Sequence, residues 1–182
     1  PPMTLRPALT CSAARSRGSW PRRTTAPHGD YGVAMTSLSL AELTSDLLPA
    51  LVRLPPAVGE KSSVAPVVYS IAEAYVTPSA WPRAILSDGD VVGFVMANWD
   101  PDNEIHEFRG GLWRLNVAEA SKGRGVGRFA VEQVAAEARS RGYEQMTVLW
   151  EQGADGPEEF YLKLGFVKAG ELFGERVGVL TL

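Results

Sequence analysis

Three glycines at alternate positions, Gly123, Gly125 and Gly127, are interleaved with Lys122, Arg124, Val126 and Arg128. Glycine lets a backbone approach an anion closely, and N–H groups left unpaired ahead of a helix point outward at the positive end of its dipole. The chemistry that such a run supports is phosphate binding, with the three basic side chains adding charge around the loop. Two known phosphate loops are excluded by spacing. The third glycine position of G-x-G-x-x-G falls on Arg128, and no G-K-[ST] follows, so dinucleotide and nucleoside-triphosphate loops do not fit. A glycine-rich turn that only packs a helix onto a strand stays open as the alternative.

Other reactive side chains are scattered. Cys11 is the single cysteine, which leaves no internal disulfide or cysteine metal site, and His28 and His106 stand apart from any partner, so no metal is expected. Asp100, Asp102, Glu104 and Glu107 gather in one stretch and could steer a cation, though a solvated hairpin tip explains them equally well.

The glycine run needs a strand before it and a helix after it. Leu112, Trp113, Leu115 and Val117 predict the strand; Val131, Val134, Ala135 and Ala138, at helical spacing with charged residues outside the stripe, predict the helix, which Gly142 stops. Upstream, residues 37–44 predict a short strand or a helix entry. Residues 45–53 predict a helix in which Pro49 must fall in the first turn or kink it, and residues 66–75 predict a second helix, closed by Pro78. Residues 84–86 and 91–99, joined by a turn with Asp88-Gly89, predict a hairpin. Downstream come a strand over 145–150, a short helix over 157–164, and two strands over 167–172 and 175–182. Strands and helices do not alternate throughout, so a doubly wound α/β fold is rejected.

Residues 122–127, K-G-R-G-V-G, resemble the [QR]-x-x-G-x-[GA] acyl-CoA motif of the GNAT N-acetyltransferase superfamily, with Lys122 in place of the usual Gln or Arg. Residues 160–166, F-Y-L-K-L-G-F, resemble its [LF]-Y-x-x-[LN]-G-F segment. Leu115, Asn116 and Val117 fall where its fourth strand opens toward the pantetheine arm. Residues 65–76, A-P-V-V-Y-S-I-A-E-A-Y-V, resemble an early helix of the bacterial spermine/spermidine acetyltransferase-like branch.

The resemblance covers roughly residues 37–182 and implies an α+β fold, a mixed and mostly antiparallel splayed sheet flanked by helices, with acetyl-CoA between the fourth and fifth strands. It implies acetyl transfer to a primary amine, a polyamine in that branch, by direct attack on the thioester. Residues 122–128 would hold the pyrophosphate and residues 115–117 the pantetheine arm. Tyr161 matches the tyrosine that protonates the departing thiolate, and Ala154 stands where that branch commonly has an Asn. A carboxylate such as Glu73 or Glu107, directly or through water, could take the proton of the amine. A GNAT-fold module that binds acyl-CoA or a partner without turnover is the second class, and a homodimer stays open.

With 182 residues, 45% of them hydrophobic, the chain is sized for one domain with a core. Residues 1–36 hold Pro, Ser, Thr and Arg without apolar periodicity, which predicts a disordered basic leader. Five arginines against Asp30 give this segment a charge of +4; the whole-chain −3 therefore leaves −7 on residues 37–182. The leader could imitate a transit peptide or bind nucleic acid, or Met35 could be the natural start; neither a transit peptide nor a nucleic-acid partner is the expected reading. Neither an apolar signal core nor a run of membrane-spanning length is present, so a cytoplasmic setting is expected, and the small-molecule amine acceptor is what the resemblance implies.

Overall fold

A computed structural model describes residues 37–55, 66–153 and 156–182. In chain order they form β1 (Leu38–Ala41), α1 (Leu48–Leu51), α2 (Val67–Val76), β2 (Ala80–Ser87), β3 (Asp90–Trp99), β4 (Gly110–Val117), α3 (Val126–Ser140), β5 (Gln145–Trp150), α4 (Glu158–Lys163), β6 (Val167–Leu172) and β7 (Glu175–Thr181), with 3₁₀ turns at His106–Phe108 and Glu119–Ser121. The leader with Cys11 and His28, and also Pro56, Ala65 and Ala154, lies outside the described residues.

The strands make one seven-stranded mixed sheet in the order β1-β2-β3-β4-β5-β7-β6. The fold is α+β, as expected. All neighbouring pairs are antiparallel except β4 and β5, which run parallel. The sheet buries both faces, and β3 shows why its sequence is apolar without a break. Phe94 and Met96 point into one core with Leu51 of α1 and Val67 of α2, while Val95 and Ala97 point into the other with α3. Alternate residues of a strand face opposite sides, so a central strand covered on both sides needs apolar residues at every position.

α3 lies on the second face. Val126, Ala130, Val131, Val134, Ala135 and Ala138 are its buried residues, a stripe at spacings of four, one and three that extends the predicted one by a turn. Each buried valine contributes on the order of 1.5 kcal/mol, which far exceeds the weak propensity of valine against helix. Arg141 caps the end of the helix, and Gly142 follows with φ of 84°.

Two expectations are corrected. The helix expected over 45–53 is α-helical only over Leu48–Leu51, because Pro49 occupies its first turn and cannot lie further inside. The hairpin is longer than its apolar run, since β2 begins at Ala80 and passes through Pro82. Pro82 is paired with Met96 on one side, and β1 reaches only as far as Ala84, so the missing N–H faces an open edge.

A split between β4 and β5 dominates the site. The two strands meet only at Gly111 with Thr147 and at Leu112 with Val148. Gly111 permits that approach, because a β-carbon there would collide with the Thr147 backbone and hydroxyl. Beyond Leu112 they diverge, and one edge of β4 from Trp113 onward has no strand beside it.

Candidate active site

The glycine loop joins β4 to α3 and has the geometry of an anion cradle. Gly125 is the N-cap of α3 in the left-handed region, φ 83°, and Gly123 has φ of 72°. No side chain caps the helix. The backbone bonds around it run from Ser121 to Ala118, from Lys122 to Glu119 and from Phe129 to Gly125, leaving the N–H groups of residues 123–128 without a backbone acceptor among the described residues. Six unpaired donors at the positive end of a 15-residue helix form a site for a polyanion.

The side chains in the loop play different parts. The Lys122 ammonium lies 2.6 Å from the Glu119 carboxylate, and Arg128 lies 3.8 Å from Glu132, so both charges are shared. Arg124 is exposed and has no carboxylate partner among the described residues. Val126 is buried against the core and offers the loop only its N–H. Gly127 serves packing: a β-carbon there would lie 3.1 Å from Cζ of Phe160, so this glycine lets α3 close on α4.

Residues 115–117 lie on the open edge of β4, yet their side chains diverge. Leu115 faces the split. Asn116 is buried on the opposite face, its Nδ2 donating to the carbonyl of Pro55 at 3.4 Å and its Oδ1 without a partner among the described residues. Val117 packs against the core beneath α3. Only the backbone of this segment is shared by the open edge.

A register shift places a bulge at the mouth of the split. Arg114 pairs with Met96 and Leu112 with Ala97, so Trp113 is the extra residue on β4. A bulge bends its strand and turns peptide groups away from the ladder. Here it falls one residue after β4 loses β5.

The split opens into a cavity of about 400 Å³ walled by Leu112, Trp113, Leu115, Trp150 and Tyr161, with Glu73 and Glu175 also on its wall. The structure therefore brings Glu73 and Tyr161 to one cavity, from α2 and α4. It does not bring Glu107 there. That residue lies on the 3₁₀ turn, where its carbonyl accepts a 2.6 Å hydrogen bond from the Thr147 hydroxyl. Of the other acidic residues ahead of β4, Asp100 accepts a hydrogen bond from Asn103 and shapes the turn.

Tyr161 is 7% exposed. Its ring stacks on Trp150, with centroids 5.3 Å apart, and meets Phe160 and Phe166 edge-on. Burial pushes its phenol well above the usual tyrosine range, so the hydroxyl keeps its proton at neutral pH. No protein acceptor for that hydroxyl occurs among the described residues.

Three features of the cavity lay beyond sequence reasoning. The bulge depends on how β3 registers against β4, which no local signal carries. Arg114, whose partner no local signal carries, binds Glu73 through its guanidinium at 3.2 Å and the Trp113 carbonyl at 3.0 Å. Glu175, at the start of β7, faces the cavity and has no basic partner among the described residues. Among the described residues, no group of three or more metal-ligating side chains is present, and no helix is long and apolar enough to cross a membrane.

A family model for the acetyltransferase (GNAT) family matches residues 53–166. N-acetyltransferase 8 of Mus musculus is 32% identical over 95 residues, which cover 52% of this chain and 40% of that protein. N-acetyltransferase 8F1 of Mus musculus is 31% identical over 87 residues, covering 48% and 39%. The chain thus spans less than half the length of the curated relatives it matches. Among solved structures, an acetyltransferase from Thermus thermophilus superposes with a TM-score of 0.63 at 22% identity, over 80% of this chain and 97% of that one. PaiA N-acetyltransferase from Thermoplasma acidophilum, in complex with coenzyme A, gives 0.60 at 13% identity, over 80% and 99%. An acetyltransferase from Elizabethkingia anophelis with acetyl-CoA bound gives 0.57 at 14% identity, over 82% and 99%. At these identities the likeness is one of fold.

Proposed function

Because residues 53–166 match its model, the chain belongs to the acetyltransferase (GNAT) family, and we propose on that footing that it transfers the acetyl group of acetyl-CoA to the nitrogen of a primary amine. The observation that carries the proposal is the split between β4 and β5, which opens onto the Tyr161 cavity and whose β4 edge runs on to the unbonded amides before α3. Structures of the same fold that hold coenzyme A and acetyl-CoA support this choice of co-substrate.

The residues present fit such a ligand. Amides of residues 123–128, the dipole of α3 and the Arg124 charge suit a pyrophosphate. The backbone of residues 115–117, on the open edge of β4, suits an extended arm with amide groups. Acetyl-CoA supplies an acetyl group already activated as a thioester. A peptide N–H turned out at the Trp113 bulge can polarise a carbonyl oxygen, in a position fixed before reaction. Tyr161 holds a proton that it can donate to a leaving group.

Removal of a proton from the incoming ammonium falls to a carboxylate on the cavity wall. Glu73 is committed to an ion pair with the Arg114 guanidinium at 3.2 Å. Glu175 shares the wall without such a partner, and we assign it the role, directly or through water. Acidic walls suit a cationic acceptor. A polyamine is the instance implied by the early-helix resemblance, while the −7 charge of residues 37–182 favours the approach of a cation without selecting among amines. The setting we propose is cytoplasmic, from a chain with a single cysteine.

Thiol release from acetyl-CoA, followed over a panel of amines with mass detection of the product, tests the proposal. Release with an acetylated amine is expected. Thermal stabilisation by acetyl-CoA without release over the whole panel would instead mark a binding module of the same fold.

A further inference from the structure

One part of the cavity wall has a composition of its own. Phe108 and Trp113 line it, their rings edge to face with centroids 6.4 Å apart. Phe173 adds a third ring, 6.2 Å from Phe108, from the turn between β6 and β7. Four separate elements supply this wall: α2 with Glu73, the 3₁₀ turn with Phe108, β4 with Trp113, and β7 with Glu175, while Phe173 stands beside it through its contact with Phe108.

Phe173 is poorly suited to its place as a folding residue. It adopts φ of 54°, in the left-handed region that a bulky side chain avoids, and it is 74% exposed. Among the described residues, the other non-glycine residue at positive φ is Asp88, at 51° in the β2–β3 turn, a residue type that tolerates this conformation. An aromatic ring at such a position strains the backbone and leaves apolar surface in water, while its one ring contact among the described residues is Phe108. Backbone strain of this kind concentrates at ligand clamps.

Charge on this part of the wall is smaller than the count of acids suggests. Glu73 is neutralised by Arg114, which leaves Glu175 as the uncommitted carboxylate on the wall. One carboxylate beside aromatic faces matches one ammonium on a flat apolar body. A polyamine would bring several positive charges to a single partner, and an amino acid would bring a carboxylate toward Glu175.

We infer that this part of the cavity selects an aralkyl monoamine, its ring covered by Phe108, Trp113 and Phe173 and its ammonium facing Glu175. This rests on the acetyltransferase reading above, and the two are separated by measuring turnover and binding independently.

The experiment compares 2-phenylethylamine, n-hexylamine and spermidine by kcat/KM on the full chain. It also measures their binding, by titration calorimetry, to the protein saturated with coenzyme A. We expect 2-phenylethylamine to exceed both others about ten-fold in each measurement, the scale of a ring or cation stacked on aromatic faces. Phe173→Asn suits the turn better and removes the ring, so it should keep or raise the melting temperature and lower the preference over n-hexylamine to near unity. Spermidine as the best ligand, or a preference unchanged in Phe173→Asn, overturns the inference. Preferential binding of 2-phenylethylamine without acetylation of any amine would uphold the subsite and overturn the acetyltransferase reading instead.

Discussion

The carboxylate of Glu73 accepts a hydrogen bond from the guanidinium of Arg114 at 3.2 Å, and the same guanidinium donates to the carbonyl of Trp113 at 3.0 Å. The ion pair ties α2 to the bulge of β4, the place where β4 has lost β5. Both side chains are about a quarter exposed, 26% for Glu73 and 27% for Arg114, so the pair is only partly screened by water. Nε of Arg114 is buried without a partner among the described residues. The guanidinium therefore depends on Glu73 and Trp113 for its compensation.

Glu73→Ala should destabilise the protein by about 2 kcal/mol, because it leaves a half-buried cation unpaired. A denaturation midpoint measures this. Turnover should fall as the bulge loses its tether, while the shape of the pH–rate profile stays that of the parent. Loss of the acidic limb of that profile in Glu73→Gln would assign the base to Glu73 rather than Glu175.

Gly125 and Gly127 lie two residues apart and should fail in different ways. A β-carbon on Gly125 meets no atom within 4 Å, but φ of 83° disfavours it. Gly125→Glu should therefore cost about 1–2 kcal/mol in stability and stay folded. Its acetyl-CoA affinity, read by calorimetry, should fall at least ten-fold as the new carboxylate opposes the pyrophosphate. Gly127→Ala places its methyl 3.1 Å from Phe160, so its main effect should be on the packing of α4 and on melting temperature. Equal acetyl-CoA affinity in folded Gly125→Glu and the parent would remove the loop from the site.

The sheet and the glycine loop were legible because their signals are local. The apolar run in β3, the stripe of α3 and the Asp88-Gly89 turn each carry their period or turn chemistry within a few residues. The cavity was less legible because its walls are long-range. Trp113 is a bulge only by its register with β3, Arg114 is half-buried only because α2 brings Glu73 over it, and Glu175 faces the cavity only because β7 inserts between β5 and β6. Glu107 shows the converse. It stood near the motif strand in sequence, and its position on the 3₁₀ turn takes it off the cavity wall.

Alkaline stability provides a test of the buried phenol. Burial raises the pKa of Tyr161 in the folded protein above the 10.0 of an exposed tyrosine. Below pH 10 the phenol is protonated in both states and the linkage contributes nothing unfavourable. Above pH 10 the unfolded chain loses the proton first, so stability falls as pH rises toward the folded-state pKa. Tyr143 is shifted in the same direction, again by burial first, and adds to this fall. Denaturation midpoints between pH 9 and about pH 11 should therefore decline more steeply in the parent than in Tyr161→Phe. Parallel slopes would mean that the phenol of Tyr161 is reached by solvent.

Tyr161→Phe also separates catalysis from packing at neutral pH. The substitution keeps the ring that stacks on Trp150 and meets Phe166, and it removes a hydroxyl that has no protein acceptor among the described residues. Stability at pH 7 should then stay within about 1 kcal/mol of the parent, since no protein hydrogen bond is lost. Acetyl-CoA binding should be unchanged, because the unbonded amides lie at the other end of the open β4 edge. Turnover should fall roughly 10²- to 10⁴-fold if the hydroxyl supplies the proton to the leaving group. The measurements are kcat on the best acceptor, the melting curve and the acetyl-CoA dissociation constant, all on one preparation. Parent-like turnover would transfer the role of acid to water, and a loss of stability in step with activity would make Tyr161 a packing residue of α4.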